Sequence, residues 1–456
     1  MKRRTFIKTS AALSSLVLLP GCGGETASEA AGTAAVTPPL TRLRTAHIGV
    51  GVQGLEDLKA VASHDKVDVI ALCDVDANNL ERAHKLFPDA KVYKDYRVML
   101  KEIGEGVDAV VVATPDHAHA PASMMAMEMG KNVYCQKPLT HHVTEARAMR
   151  EIAEDKDLVT QMGIQVHSFY DYKLATMLIR SGIIGKVSSV SAWSPKNWGY
   201  DGPVPQGEDP VPDYLDWNLW LGTSAERPYK EGIYHPGNWR KLVDYGCGTL
   251  GDMGVHIFDT PYNALELDVP KTITTECRPP NGFGFPEKNV VTYEFPGTAY
   301  TTENFQWIWS DGEGAPVMHE DLKLPNGDAL PDQGAMFVGE KGRLLLPHFQ
   351  QLPRHIVNGE YVALDLASVP GAVEMGEPVR DYAAESPKHY HQFVDACLGT
   401  DEASAPFSYA SRLTETILLG VIAGRFPGKK LHWDSEKAQF AEAEANALLD
   451  APYRKF

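Results

Sequence analysis

A glycine turn, a lysine followed by proline, and an aspartate four residues ahead of a histidine are the places where residue type and spacing point to chemistry. The glycines are Gly49, Gly51 and Gly54 in the pattern G-x-G-x-x-G, with Val52 and Gln53 before the third, after a strand-like run from Leu43 and ahead of a helical pattern over 55–63. In that context Gly49 permits a tight turn, Gly51 lets the backbone approach a pyrophosphate, and Gly54 lets the helix pack closely. The helix N-terminus favours the ligand's negative charge. A second strand-like run, 67–73, ends in Asp74, 20 residues after Gly54. That is the offset of a carboxylate that hydrogen-bonds a ribose 2′-hydroxyl and repels a 2′-phosphate, so the expected cofactor is NAD rather than NADP.

The other group is Asp252-x3-His256 together with Lys137. Oxidising an alcohol needs a base for the hydroxyl proton while hydride leaves to a nicotinamide, and an imidazole suits that transfer. His256 is the candidate base. On a helix Asp252 shares its face and would orient the imidazole. Lys137 would hydrogen-bond the hydroxyl and favour the developing alkoxide. Taken alone, an Asp-x3-His pair is as readily structural, and it could ligate a metal, but no third ligand is apparent. His117-x-His119 and His141-His142 raise the same question and read as loop histidines near the cofactor, so no metal site is expected.

These groups need elements to position them. Strand-like runs at 67–73, 91–93, 107–114, 132–135 and 159–165 follow the first one, separated by helical stretches at 55–63, 96–103, 120–129 and 143–154. Alternation of this kind builds a doubly wound parallel sheet, with ligands outside the carboxyl ends of the strands. Thr114, Pro115, Asp116 and His117, then Gln136 and Lys137, then Gln165 should therefore face the cofactor. From His167 onward the strand-like runs lengthen, and five of the eight tryptophans fall between 193 and 239. Aromatic faces suit a sugar ring with its apolar face and hydroxyl rim, although each ring alone equally suits packing between a sheet and its helices. Lys137, His167, Lys196, Trp198, His235, Asn238, Arg240, Asp244 and His256 are the expected substrate lining. Helices are expected at 171–181, 387–398, 409–425 and, Ala/Glu-rich and on the surface, 435–449.

In order, Gly49-x-Gly51-x-x-Gly54, Thr114-Pro115-Asp116-His117, Cys135-Gln136-Lys137-Pro138-Leu139 and Gly248-Thr-Leu-Gly-Asp252-Met-Gly-Val-His256 resemble the glucose-fructose oxidoreductase and inositol dehydrogenase family, from about Arg42 to the C-terminus. The resemblance implies an α/β fold: an N-terminal Rossmann domain (42–165) and a C-terminal α/β domain (166–430) whose open, largely antiparallel sheet serves as substrate wall and homo-oligomer contact. A C-terminal helix (431–456) would pack back on the nucleotide domain. It also implies hydride transfer between nicotinamide and a sugar, glycoside or cyclitol hydroxyl. An NAD-dependent glycosidase working through transient oxidation is the alternative, and a non-catalytic sugar-binding accessory subunit is a second. The family's Glu-Lys-Pro is Gln136-Lys137-Pro138 here, which removes a carboxylate partner of the lysine.

The 456 residues are too many for one ordinary core and, with 43% apolar residues, rule out wholesale disorder. A net charge of −17 argues against a nucleic-acid partner. Residues 1–21 read as an export signal: Arg3-Arg4-Thr5-Phe6-Ile7-Lys8 resembles the twin-arginine type, and Leu19-Pro20-Gly21-Cys22 a lipoprotein cleavage box. Cys22 would carry the lipid, residues 22–41 would form a disordered tether, and the protein would face the periplasm, held to a membrane by the lipid alone. Folding before export would let tightly bound NAD travel with the chain. Cys73, Cys135, Cys247, Cys277 and Cys397 have no CxxC spacing and read as buried small hydrophobes.

Overall fold

The computed structural model describes residues 40–348 and 351–456, so the expected signal and nearly all of the expected tether, Cys22 included, lie outside the described residues. Six strands form the first sheet: β1 (Leu43–Ile48), β2 (Val67–Cys73), β3 (Lys91–Tyr93), β4 (Ala109–Val112), β5 (Asn132–Cys135) and β6 (Thr160–Met162). All pairs are parallel, in the order β3-β2-β1-β4-β5-β6. The helices between them are α1 (Val52–Ala62), α2 (Ala77–Leu86), α3 (Tyr96–Ile103), α4 (Asp116–Glu128) and α5 (Val143–Asp155). Central strands such as β4, Ala-Val-Val-Val, are apolar throughout because both faces are covered. Register sets the site: Ile48 pairs with Cys73 and Val112, Val112 with Cys135, and Cys135 with Met162. The strands thus end level, and Gly49, Asp74, Ala113, Gln136 and Gly163 stand in a row along one edge.

A second, ten-stranded sheet contains β7 (Val187–Ser194), β8 (Thr272–Cys277), β9 (Asn289–Pro296), β10 (Thr301–Asp311), β11 (Gly334–Gly339), β12 (Gly342–Pro347), β13 (Arg354–Val357), β14 (Glu360–Val362), β15 (Leu431–Asp434) and β16 (Gln439–Phe440). Its order is β14-β13-β12-β11-β7-β10-β9-β8-β15-β16, antiparallel except where β7 meets β10. Along β9 burial alternates, with Val291, Tyr293 and Phe295 turned to the core. The remaining helices are α6 (Tyr170–Arg180), α7 (Trp217–Leu221), α8 (Val255–Ala264), α9 (Tyr382–Cys397), α10 (Phe407–Ala423) and α11 (Ala443–Asn446). Phe258 of α8 stacks on Trp307 of β10 at 3.9 Å. From α10, Thr414 accepts the Leu139 N–H and the buried Glu415 takes Arg147 of α5, which ties the two sheets together. Among the described residues no helix is long and apolar enough to cross a membrane.

Residues 435–449 depart from expectation and do not form one surface helix: Ala438 turns with φ 53°, β16 pairs with β15, and Phe440 lies edge-on to Trp433 at 4.9 Å, leaving only α11 helical. Burying Phe440 against an indole outweighs the helix preference of alanine and glutamate. The segment that returns to the first sheet is instead extended, with Tyr453 donating to Glu145 and Arg97 to the Phe456 carbonyl. α9 also packs there, its Tyr390, Phe393 and Val394 joining Leu43, Val61, Val111 and Tyr134 in one buried cluster.

Candidate functional site

A cavity of about 560 Å³ runs along the level strand ends and under the second sheet. At one end is the glycine turn. Gly49 has φ +81°, and a Cβ there would come within 2.6 Å of the Ala113 carbonyl. A Cβ on Gly54 would run into the Gly49 carbonyl itself, so helix and strand meet backbone to backbone. No side chain caps the first turn of α1 and no acidic residue stands in it. Beside it Asp74 is buried, accepting from the Val50 N–H (2.8 Å) and the Asp76 N–H (2.9 Å). Burial raises its carboxyl above the ordinary value, against those two bonds. An open helix N-terminus, two glycines that tolerate no side chain and a carboxylate at the end of β2 fit a dinucleotide with free ribose hydroxyls.

At the other end Lys137 reaches Asp252. Its Nζ donates at 2.9 Å to the carboxylate and at 2.9 Å to the backbone carbonyl of that residue. Trp198 Nε1 donates to the second carboxylate oxygen at 2.6 Å, and Arg240 stands 3.4 Å away. Burial alone would raise this carboxyl, but Lys137 and Arg240 hold it well below the usual range. Asp252 sits in a π-turn, Leu250–Gly254, that leads into α8, where His256 lines the cavity. No bond joins the two: His256 Nδ1 is buried without a partner, while two cations and an indole take the carboxylate. A neutral imidazole is the weaker competitor for it, so the expected Asp252–His256 orientation does not form. Burial, then the Lys137 charge, lowers His256 well below its ordinary value and keeps the ring neutral.

Of the residues expected to face the cofactor, Gly49, Gly51, Val52, Gln53, Asp74, Thr114, Pro115, Asp116, Gln136, Lys137 and Gln165 line the cavity. Burial pushes the Asp116 carboxyl up to about 7. His117 points away: α4 begins at Asp116, and the next side chain lies against Trp220 and Tyr245, with Nε2 on the Trp220 carbonyl at 3.1 Å. Of the expected substrate residues, Lys137, Lys196, His235, Arg240 and His256 line the cavity. His235 bonds Asp76 at 2.7 Å, which places it at the Asp74 end. Trp198 stands behind Asp252 as its donor. The others are engaged elsewhere: His167 with Asp259 (2.9 Å), Asp244 with Arg227, and Asn238 with the Gly232 carbonyl (2.6 Å). Trp217, Tyr229, Tyr234 and Tyr245 pack as a small core of their own, with Trp220 and Trp239 also reaching the cavity.

Sequence reasoning passed over His348, just past β12, which lines the same wall 6.1 Å from His256 and meets Tyr172. Burial lowers it to about 3. No spacing flags it, because only the antiparallel run of β11 and β12 brings it there. His119 places both ring nitrogens on carbonyls, of Pro138 and Thr114, and His141 pairs with His142.

A level-ended parallel sheet with this glycine turn and a lysine, aspartate and imidazole across the cavity defines a dinucleotide-dependent enzyme class. Comparison with known proteins agrees. Residues 43–164 match the family described as oxidoreductase family, NAD-binding Rossmann fold, and residues 171–282 match its C-terminal alpha/beta domain. Together these cover over half of the chain, which belongs to this family, the glucose-fructose oxidoreductase and inositol dehydrogenase group, and NAD is its cofactor. The chain is 35% identical over 147 residues to a glycosyl hydrolase family 109 protein of Stenotrophomonas maltophilia, covering 30% of this chain and 29% of that one. It is 32% identical over 149 residues to inositol 2-dehydrogenase of Salmonella typhimurium, covering 32% and 43%. The matches thus span about a third to a half of the curated relatives' length. Among solved structures, an inositol dehydrogenase homolog of Azotobacter vinelandii complexed with NAD+ shares the fold at TM-score 0.64 and 18% identity, over 87% of this chain and 98% of that one.

Proposed function

We propose that the protein is a dehydrogenase that moves hydride between tightly held NAD and a hydroxyl of a sugar, glycoside or cyclitol. The observation that carries this reading is the meeting of Lys137, Asp252 and His256 across the cavity from the glycine turn. NAD, when bound, supplies the hydride acceptor. Gly49, Gly51, Val52, Gln53, Asp74, Thr114 and Gln136 would hold it. Lys137 commits two of its three N–H bonds to Asp252 and has one left for a substrate hydroxyl. Asp252 keeps that ammonium in place and balances its charge, and neutral His256 takes the hydroxyl proton. Lys196 and Arg240, on the same wall, would bind neighbouring hydroxyls.

The glycosyl hydrolase names among the relatives favour a second reading, in which hydride returns to the same substrate and a glycosidic bond is cleaved without net oxidation. The sequence signals at Arg3-Arg4 and Cys22 support export and lipid anchoring, a setting in which a captive cofactor is useful. The test is to purify the protein without added nucleotide, assay the denatured supernatant for NAD and NADH, and challenge the protein with polyols and glycosides. Bound NAD with a keto product supports the dehydrogenase, and a cleaved glycoside supports the second reading. Full turnover by His256→Ala would remove the assigned base.

A further inference from the structure

Three glutamines from separate elements line the cavity, Gln53 on α1, Gln136 after β5 and Gln165 after β6. All three amides lead back to one carboxylate that does not line it. Asp57, one turn further along α1, is fully buried. Its Oδ1 accepts from Tyr390 Oη of α9 at 2.6 Å and from Gln53 Nε2 at 2.8 Å. Gln136 Nε2 lies 3.0 Å from Oδ1 and 2.9 Å from Oδ2, and Gln165 Nε2 donates to Tyr390 Oη at 2.8 Å. An ionised carboxylate only accepts, so Gln136 must turn its NH2 toward Asp57. Its Oε1 is then left for the backbone N–H of Lys137, 3.2 Å away.

We propose that Asp57 is a positioning residue for Lys137: its carboxylate decides which way round the Gln136 amide sits, and so whether the Lys137 N–H has an acceptor. This rests on the reading of Lys137 as the group that binds the substrate hydroxyl. Burial pushes the Asp57 carboxyl up to about 6, against the bonds from Tyr390, Gln53 and Gln136. The titratable groups around it are Tyr390, Tyr134 stacked on Tyr390 at 5.1 Å, Cys135 and, on its own helix, Glu56. Burial raises both tyrosines and the cysteine and keeps them neutral, and Glu56 is exposed and paired with Lys59, so Asp57 is the buried charge of this cluster.

The relay can be reversed by design. In Asp57→Asn the retained oxygen serves Tyr390 and Gln53, the new NH2 opposes Gln136 Nε2, and the Gln136 amide turns over, presenting NH2 to the Lys137 N–H. In Gln136→Glu alone two carboxylates meet in a dry site. In the double variant the new amide at position 57 donates to the new carboxylate at position 136, whose other oxygen accepts from Lys137, and complementarity returns.

The experiment compares the full-length protein, both single variants and the double variant by hydrogen exchange at the Lys137 amide, by NAD affinity and by NADH formation with polyols. Asp57→Asn should speed exchange and weaken NAD binding about tenfold, the cost of one orphaned N–H; Gln136→Glu keeps an acceptor for that N–H and should exchange at the wild-type rate, and the double variant should restore both exchange and affinity. Wild-type affinity should also step down as pH falls through the Asp57 value, a step absent in Asp57→Asn. Unchanged exchange in Asp57→Asn, or a double variant that exchanges as fast as Asp57→Asn, would overturn the proposal. If Asp57→Asn fails to fold, exchange in the double variant and the wild-type pH step still decide it. A wild type with this exchange pattern that binds no NAD would sink the dehydrogenase reading alone.

Discussion

Lys137 places its ammonium 2.9 Å from both the carboxylate and the backbone carbonyl of Asp252, 115 residues further along the chain. The pair joins the end of β5 to the π-turn ahead of α8, with both side chains only 13–14% exposed. Lys137→Met keeps the stem and deletes the charge, leaving Asp252 to Arg240 and Trp198. The expected losses are roughly 3 kcal/mol of stability and about 10²–10³ in kcat. Because the Asp252 carboxyl is held low, the stability it contributes is present above the ordinary carboxylate range and lost as pH falls toward its folded value. Urea unfolding near neutral pH checks the first loss, and an unchanged midpoint would show that the pair does not support the fold.

Asp74 stands where it would set the choice of dinucleotide. Its oxygens are fixed by the Val50 and Asp76 amides, so the carboxylate cannot swing away from a 2′-phosphate. Asp74→Ala should weaken NAD binding by about tenfold while improving NADP binding, each measurable by titration calorimetry. If NADP affinity stays at the wild-type level, another group excludes the phosphate.

How far the sequence is legible depends on how local each interaction is. The glycine turn and Asp74 belong to one β-α-β unit, and their placement follows from spacing because backbone geometry fixes it. Lys137 and His256 are visible as residue types next to turns. Their relation is not: spacing on a helix pairs Asp252 with His256, whereas the folded site offers Asp252 two cations and an indole. Asp57 reads as an ordinary helix residue until α9, 333 residues later, brings Tyr390 against it. His348 and the β15–β16 pairing are set by sheet topology in the same way, and His117 is turned off the site by the start of α4.

Gly54 tests the backbone contact behind the cofactor site. A methyl group there meets the Gly49 carbonyl, which is held in turn by the turn's own φ of +81° and by the neighbouring Ala113. Nothing flexible can yield. Gly54→Ala should cost roughly 3 kcal/mol and abolish NAD binding in whatever fraction remains folded. Thermal unfolding and NAD titration of that variant provide the check, and wild-type values in both would mean that α1 shifts freely.

Asp311 gives the clearest pH signature. At the end of β10 it is buried, with one oxygen accepting from Trp309 Nε1 at 2.7 Å and the other without a partner. Burial pushes its carboxyl up to about 8, against that single bond. A folded value above the unfolded one means that the native state holds the proton more tightly. Its stabilising effect is therefore complete below the unfolded range near pH 4 and is lost as pH rises toward 8. An asparagine at this position cannot ionise but preserves the shape and the acceptor for Trp309. Asp311→Asn should match wild type in acid and exceed it in stability by more than about 1 kcal/mol above the folded value. Unfolding midpoints measured across that range decide the matter: parallel curves for the two proteins would mean that Asp311 is ionised, or solvated, throughout.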